Sequence, residues 1–298
     1  IPLIHTAHDY RMVCPAYTFT DIYGNACEKC KGKHFFYCAV GHCSKGAVIE
    51  STIMAAEMYF RNAFFDPAKN MDGVIFVSNF SKLKHMQYNA CFSEVPNIVL
   101  HNFITKPDGD SLAIDKRNYF LYFGRLSHEK GLRTLIETFQ QMSTLSLKIV
   151  GTGPDEELLT GEVQSKGIRN IEFLGFKTGD ELKKIVAEAS FVIVPSECYE
   201  NNPMTIIEAY SLGVPVIGTK IGGIPEILQD HKTGFLFAPK DVEDLKNVVA
   251  RASQLNMHDY KAMSDNALRF AADNFDEESY YRKLIAFYND IISRNKKI

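Results

Sequence analysis

The stretch PSECYENNPMTIIEAYSLGVPVIG (195–218) decides how this chain folds. An apolar run precedes it at 191–194 and another closes it at 214–217, the pattern of buried parallel strands. Between them a polar turn leads into a helix at 203–212. Asn201 or Asn202 suits the N-cap and Pro203 the first helical position, which puts Glu208 in the second turn, eight positions after Glu200. The free amides of that helix start, at Met204 and Thr205, attract anions and phosphate above all. Two carboxylates beside such an anion repel it unless they take neutral hydroxyls instead, as a ribose and a hexose allow.

The same alternation extends outward. Strands are expected near 118–123, 147–151, 171–174, 191–194, 214–217 and 234–237, with helices near 130–142, 155–166, 179–189, 203–212 and 224–228. Residues 118–277 thus read as a complete doubly wound α/β domain. Upstream, strands at 2–8, 73–78 and 97–103 with helices over 44–65 and 79–91 make a partial Rossmann-like domain, 1–104. Residues 105–117, rich in Asp with Pro and Gly, read as a linker. Residues 278–298 are helical, with Leu284, Ile285, Tyr288, Ile291 and Ile292 on one side. This helix is expected to cross back and pack on the body, and the basic end Lys296-Lys297 leaves peripheral membrane contact as the other reading. The chain opens on Ile1-Pro2-Leu3-Ile4 without a Met, which reads as a piece of something longer or a processed product.

With 298 residues, 46% of them hydrophobic, the chain is an ordinary folded protein, not a disordered segment or a disulfide miniprotein. A net charge of −3 gives no nucleic-acid footprint. No run of 18 apolar residues occurs, so a cytoplasmic location is expected, with peripheral membrane contact at most. The sequence specifies no oligomeric state.

The two glutamates in this setting resemble those of the retaining glycosyltransferases of family 4. So do YFGRLSHEKGLRTLIETF (122–139), VGTGPDEELL (150–159) and IGGIPEIL (221–228), in that order. The resemblance implies the GT-B fold of two Rossmann-like domains, with further strands and a glycine-rich loop ahead of residue 1. It implies transfer of a sugar from a nucleoside-diphosphate donor to a hydroxyl of a carbohydrate or lipid-linked acceptor, with retained anomeric configuration and no cofactor required for catalysis. On the same ground Arg125 and Lys130 hold the diphosphate. Gly124, Asn201, Asn202, Met204 and Thr205 line its surroundings, Glu208 binds the ribose, and Glu200 meets the donor sugar. Two fixed cations suit a leaving group whose charge grows as the bond breaks. Each contributes roughly 4 kcal/mol of gross attraction per unit charge at about 4 Å and an effective dielectric of about 20.

His8 closes the first strand, at the carboxyl end of a parallel sheet where ligands bind. The resemblance places a histidine there, beside the reacting sugar and acceptor, able to hydrogen-bond the sugar or assist proton movement. His5, inside the strand, reads as packing.

Five of the seven cysteines fall within thirty residues. Cys27, Cys30 and Cys43 have near structural-zinc spacing and Cys14 could supply a fourth thiolate; free thiols or a disulfide are the competing readings. Asp108-Gly109-Asp110 spells a metal-binding DxD but sits in the linker, where solvated turn carboxylates are expected. Gly151-Thr152-Gly153 lacks the third glycine of a dinucleotide fingerprint, its place being taken by Glu156. Two competing classes stand beside the transferase reading: a non-catalytic nucleotide-sugar-binding fragment or partner subunit, and a GT-B epimerase or phosphorylase.

Overall fold

A computed structural model describes residues 1–44, 46–105 and 119–295. It contains two compact units. The first comprises Ile1–Asn102, Cys198–Asn202 and Glu277–Ile298, the second Phe103–Glu197 and Pro203–Asp276.

The first unit carries a parallel sheet of β1 (Ile4–Ala7), β2 (Gly73–Phe76) and β3 (Asn97–Val99), in that spatial order. Its helices are α1 (Phe36–Val40), α2 (Val48–Phe64), α3 (Asn79–Tyr88) and α11 (Glu277–Asn295). One sheet face packs Ala7, Val74 and Phe76 against Tyr10, Phe19 and Phe92, so the stretch after β1 is a folded part of the core. The other face packs Ile75 and Leu100 against Phe287 and Ile291 of α11. The apolar side of the terminal helix is thereby used in packing within this unit.

The second unit has β4 (Phe120–Phe123), β5 (Leu147–Val150), β6 (Ile171–Gly175), β7 (Phe191–Val194), β8 (Val216–Thr219) and β9 (Gly234–Phe237). All pair in parallel, in the order β6-β5-β4-β7-β8-β9. Because both faces are covered, strands such as FLYF and FVIV are apolar throughout. Alternate residues feed two cores. Phe120, Tyr122, Phe191 and Ile193 meet α4 (Leu132–Gln140), α5 (Glu156–Ser165) and α9 (Val242–Ser253). Leu121, Phe123, Val192 and Val194 meet α6 (Gly179–Ala187), α7 (Met204–Ser211), α8 (Ile224–Ile227) and α10 (Met257–Asn274).

The expected strands and helices stand within a few residues of these bounds. Three helices were not foreseen: α1 inside the Cys-rich stretch, and α9 and α10, whose N-caps Asp241 and Asn256 accept from the amides of Asp244 and Asp259. The body of the linker, with Asp108 and Asp110, and the basic end Lys296-Lys297 lie outside the described residues. Among the described residues no helix is long and apolar enough to cross a membrane.

His85 of α3 is a core residue. It is fully buried among Tyr10, Phe76 and Phe92, and its Nδ1 lies 2.8 Å from the Ser81 carbonyl. Burial pulls the imidazole down to about 4 from the ordinary 6.5. Between those values the unfolded chain binds a proton that the folded one refuses, so stability is full above pH 6.5 and is lost as pH falls toward 4. The stability lost over that interval is on the order of 3 kcal/mol. Denaturant unfolding of the His85→Phe variant should therefore show a flatter loss of stability between pH 6.5 and 4 than the wild type. Identical slopes would remove the assignment.

Candidate functional site

In the second unit, strand order reverses between β4 and β7, the position where ligands of open α/β sheets bind outside the carboxyl ends. Two loops meet there. The one after β4 runs through Gly124, Arg125 and a short turn at His128–Lys130 into Gly131 and α4; the other is Pro195–Glu197 after β7. The Glu197 amide donates to the Glu129 carbonyl at 2.9 Å. Gly131, at φ 71°, lies so close that a Cβ there would stand 1.9 Å from the Pro195 carbonyl oxygen. The Glu197 carboxylate is buried, accepts from Thr134 Oγ1 at 2.8 Å and lies 3.6 Å from Lys240 Nζ. Thr219 Oγ1 donates to the Ser196 carbonyl at 2.8 Å.

The loop after β5 completes the rim. Gly124 N–H donates to the Val150 carbonyl and Leu126 N–H to that of Thr152, and a Cβ at Gly151 would sit 1.9 Å from the Gly124 carbonyl oxygen. Tyr122 Oη holds the Arg125 carbonyl at 2.7 Å. On this rim Arg125 is exposed and Lys130 half-buried.

Helix α7 starts after Pro203, an extended residue that itself occupies the cap position, and no side chain caps the helix. This corrects the expected capping by Asn201 or Asn202. Those asparagines belong to the first unit, where Asn201 Nδ2 donates to the His8 carbonyl at 2.6 Å and Asn202 Oδ1 accepts from the Asn102 amide at 2.7 Å. Long-range partners win over the local cap. Met204 is exposed and Thr205 half-buried at the helix start.

Glu208, one turn further, lines a cavity of about 510 Å³ in the second unit with Phe103, Thr178, Gly179, Lys183 and Leu212. Burial raises its carboxyl pKa, and no hydrogen bond or ion pair reaches the carboxylate among the described residues. A half-buried carboxylate of this kind is a group still waiting for donors.

In the first unit His8 is exposed and lines a second cavity, of about 480 Å³, with His5, Asp9, Arg11 and Arg61. His5 therefore faces a cavity too, and burial lowers its pKa. Glu200 is half-buried in this unit, so the two glutamates of the E-x7-E spacing stand on different units. Buried Asn201 Oδ1 has no hydrogen-bond partner among the described residues.

Among the described residues no three His, Cys, Asp or Glu side chains stand together as metal ligands. Cys14, Cys27, Cys30 and Cys43 nonetheless lie near enough for each thiolate's charge to act on its neighbours. All are free thiols. Cys38 and Cys43 share a hydrogen bond, which draws the Cys43 thiol down to about 7 and pushes Cys38 up. Burial raises Cys14 to about 11 and Cys30 to about 12, with Cys30 and Cys38 packed beside Phe35 and Met58.

Residues 105–270, over half of the chain, match the family described as glycosyl transferases, group 1. The chain belongs to that family. Among its relatives, the putative colanic acid biosynthesis glycosyltransferase WcaL of Salmonella typhimurium is 28% identical over 177 residues, 56% of this chain and 44% of the relative. The sulfoquinovosyl transferase SQD2 of Arabidopsis thaliana is 37% identical over 127 residues, 42% of this chain and 24% of the relative. The chain thus spans less than half the length of these two. Anabaena HepE, solved with UDP and glucose, superposes with a TM-score of 0.71 at 19% identity, over 97% of this chain and 71% of HepE. The fold is accordingly GT-B, built of two Rossmann-like units.

Sequence reading of this group 1 transferase missed Glu197, Thr134 and Lys240, which tie the switch-point loops together. The only signal was the Glu in PSE, three residues before Glu200. Because Gly131 combines a left-handed φ with backbone contact, Gly131→Ala should destabilise the second unit by about 2 kcal/mol or more in denaturant unfolding. A loss no larger than that of an ordinary surface substitution would refute the packing of the two loops.

Proposed function

We propose that this chain is a nucleotide-sugar-dependent glycosyltransferase which moves a sugar from a nucleoside diphosphate to a hydroxyl of a carbohydrate or lipid-linked acceptor, with retention of anomeric configuration. The observation that carries the reading is the partnerless Glu208 carboxylate in the wall of the 510 Å³ cavity of the second unit. A vicinal diol offers such a carboxylate two O–H donors at once, so a ribose satisfies it without introducing a competing charge. Family membership and the UDP bound by HepE support the choice of ligand.

On this reading Arg125 and Lys130 stabilise the diphosphate as the glycosidic bond breaks, and the loop at Gly124 with the amides of Met204 and Thr205 lines its surroundings. The residues need only hold charge in place: the departing phosphate oxygen takes the acceptor's proton on the same face, so no protein nucleophile is invoked. In the first unit, Glu200 is assigned to sugar hydroxyls, and His8, exposed at a cavity, to the acceptor side. The asparagines 201 and 202 act through the backbone they hold.

Burial penalises the charged form of Glu208, so its contribution to stability falls as pH rises through the window between the ordinary 4.5 and its raised value. Glu208→Gln should therefore melt at the same temperature as wild type or higher at neutral pH. In calorimetric titration with UDP, ADP and GDP it should bind the preferred nucleotide about tenfold more weakly or worse, as expected for lost charge-assisted hydrogen bonds. Arg125→Ala and Lys130→Ala should weaken the diphosphate by a larger factor than the nucleoside. Failure of every nucleoside diphosphate to bind would end the proposal; equal losses for nucleoside and diphosphate would overturn the roles of the two cations.

A further inference from the structure

The segment Cys198–Asn202 belongs to the first unit although the chain on both sides of it belongs to the second, so side chains of the first unit hold it. Asn201 and Asn202 supply two of these holds, through His8 and Asn102. Tyr199 supplies another. Its ring packs against the core on one face of β1 and β2, 5.0 Å from Phe80 and 6.0 Å from Phe19 between ring centroids. Its Oη donates to Glu28 Oε1 at 2.7 Å.

Glu28, between Cys27 and Cys30, is itself fixed by α3. Phe80, Lys84 and Tyr88 recur every fourth residue on that helix and so share one side of it. Tyr88 Oη donates to the Glu28 carbonyl at 3.1 Å, and Lys84 pairs with the Glu28 carboxylate while standing over the Tyr199 ring, 4.9 Å from its centroid. One carboxylate thus joins the Cys-rich stretch, α3 and the residue before Glu200. Burial, then the hydrogen bond to Glu28, pushes the Tyr199 phenol up to about 12, so it stays a donor at neutral pH. The backbone here is tight as well: the Glu200 amide donates to the Cys198 carbonyl at 2.9 Å, closing a three-residue turn centred on Tyr199. Anchoring the central side chain of such a turn fixes where the next residue leaves it.

We infer that Glu28 and Tyr199 are positioning residues for the donor sugar, their phenol–carboxylate contact holding the turn from which Glu200 reaches the sugar hydroxyls. This rests on the transferase reading only for what Glu200 binds; the hold itself is a property of the first unit. No bond or proton changes at either residue. Their effect is a Glu200 carboxylate ordered before the donor arrives, so that binding does not carry the cost of ordering it.

Two measurements on the full chain test this. Hydrogen exchange read by mass spectrometry needs no ligand: in Tyr199→Phe, which keeps the packed ring, and in Glu28→Ala, the peptide containing Glu200 should exchange about fivefold faster, with peptides from β1 and β2 unchanged. Calorimetric titration then compares UDP-glucose, ADP-glucose and GDP-mannose with UDP, ADP and GDP. Both variants should bind the preferred nucleotide sugar about fivefold more weakly and its nucleoside diphosphate as tightly as wild type does. Glu28→Gln, whose amide oxygen still accepts from Tyr199, should match wild type in both measurements. Unchanged exchange around Glu200 in both variants overturns the hold. Faster exchange accompanied by equal losses for sugar nucleotide and diphosphate, or by no loss, overturns the role in sugar binding. A wild type that binds none of the six nucleotides ends the transferase reading and the sugar role together, a result distinct from a wild type that binds and variants that do not differ from it.

Discussion

The backbone contact between Gly131 and Pro195 is the constraint on which the rest of the second unit's site depends. Both loops there leave buried parallel strands at the point where the sheet's order reverses. Reversal opens a gap between the helices that follow β4 and β7, and only a residue without a Cβ lets one loop rest on the other's carbonyl. Glu197 then locks the arrangement. Its amide holds the Glu129 carbonyl, and its carboxylate is held by Thr134 from α4 and by Lys240 beyond β9, so the segments after β4, β7 and β9 meet at one residue. A rim positioned in this way can keep a cation at a chosen place with little reorganisation, which is what electrostatic stabilisation of a leaving group requires.

Glu197 and Glu208 show how environment separates two carboxylates withdrawn from solvent. Glu197 has a hydroxyl and an ammonium as partners and serves the fold. Glu208 has neither, and burial alone acts on it. A carboxylate left in that condition works against folding, and in a cavity wall this is the signature of a group whose partner arrives with the ligand. The contrast gives Glu208 its weight in the functional reading more than its position in a motif does.

Much of the fold was legible because buried parallel strands leave unbroken apolar runs such as FVIV and FLYF, and helices between them bury one stripe. The amphipathic pattern of α9, with Leu245, Val248, Val249 and Ala252 buried, was equally present, but it lies beyond the last of the motifs that drew the helices upstream. Other features had no local signal. Asn201 and Asn202 have the composition of caps, yet their side chains bond His8 and Asn102, about two hundred and one hundred positions away. The zinc spacing among the cysteines was also a local pattern, and tertiary packing adds what it does not show, Cys30 and Cys38 beside Phe35 and Met58. In an irregular segment, spacing reports on side chains only through the fold that brings them together.

That principle bears on the two glutamates themselves. Glu200 and Glu208 are eight residues apart, but no helix carries both: the first lies in an irregular segment belonging to the first unit, the second on α7 of the other. Their separation therefore records the length of chain needed to pass from Cys198–Asn202 of one unit into the other at Pro203 and one turn along α7. Insertion of a residue there would disturb Asn201 and Asn202, whose side chains have long-range partners, before it altered the helix. The glutamate spacing is a consequence of how the chain is threaded, and the asparagines between the two acids enforce it.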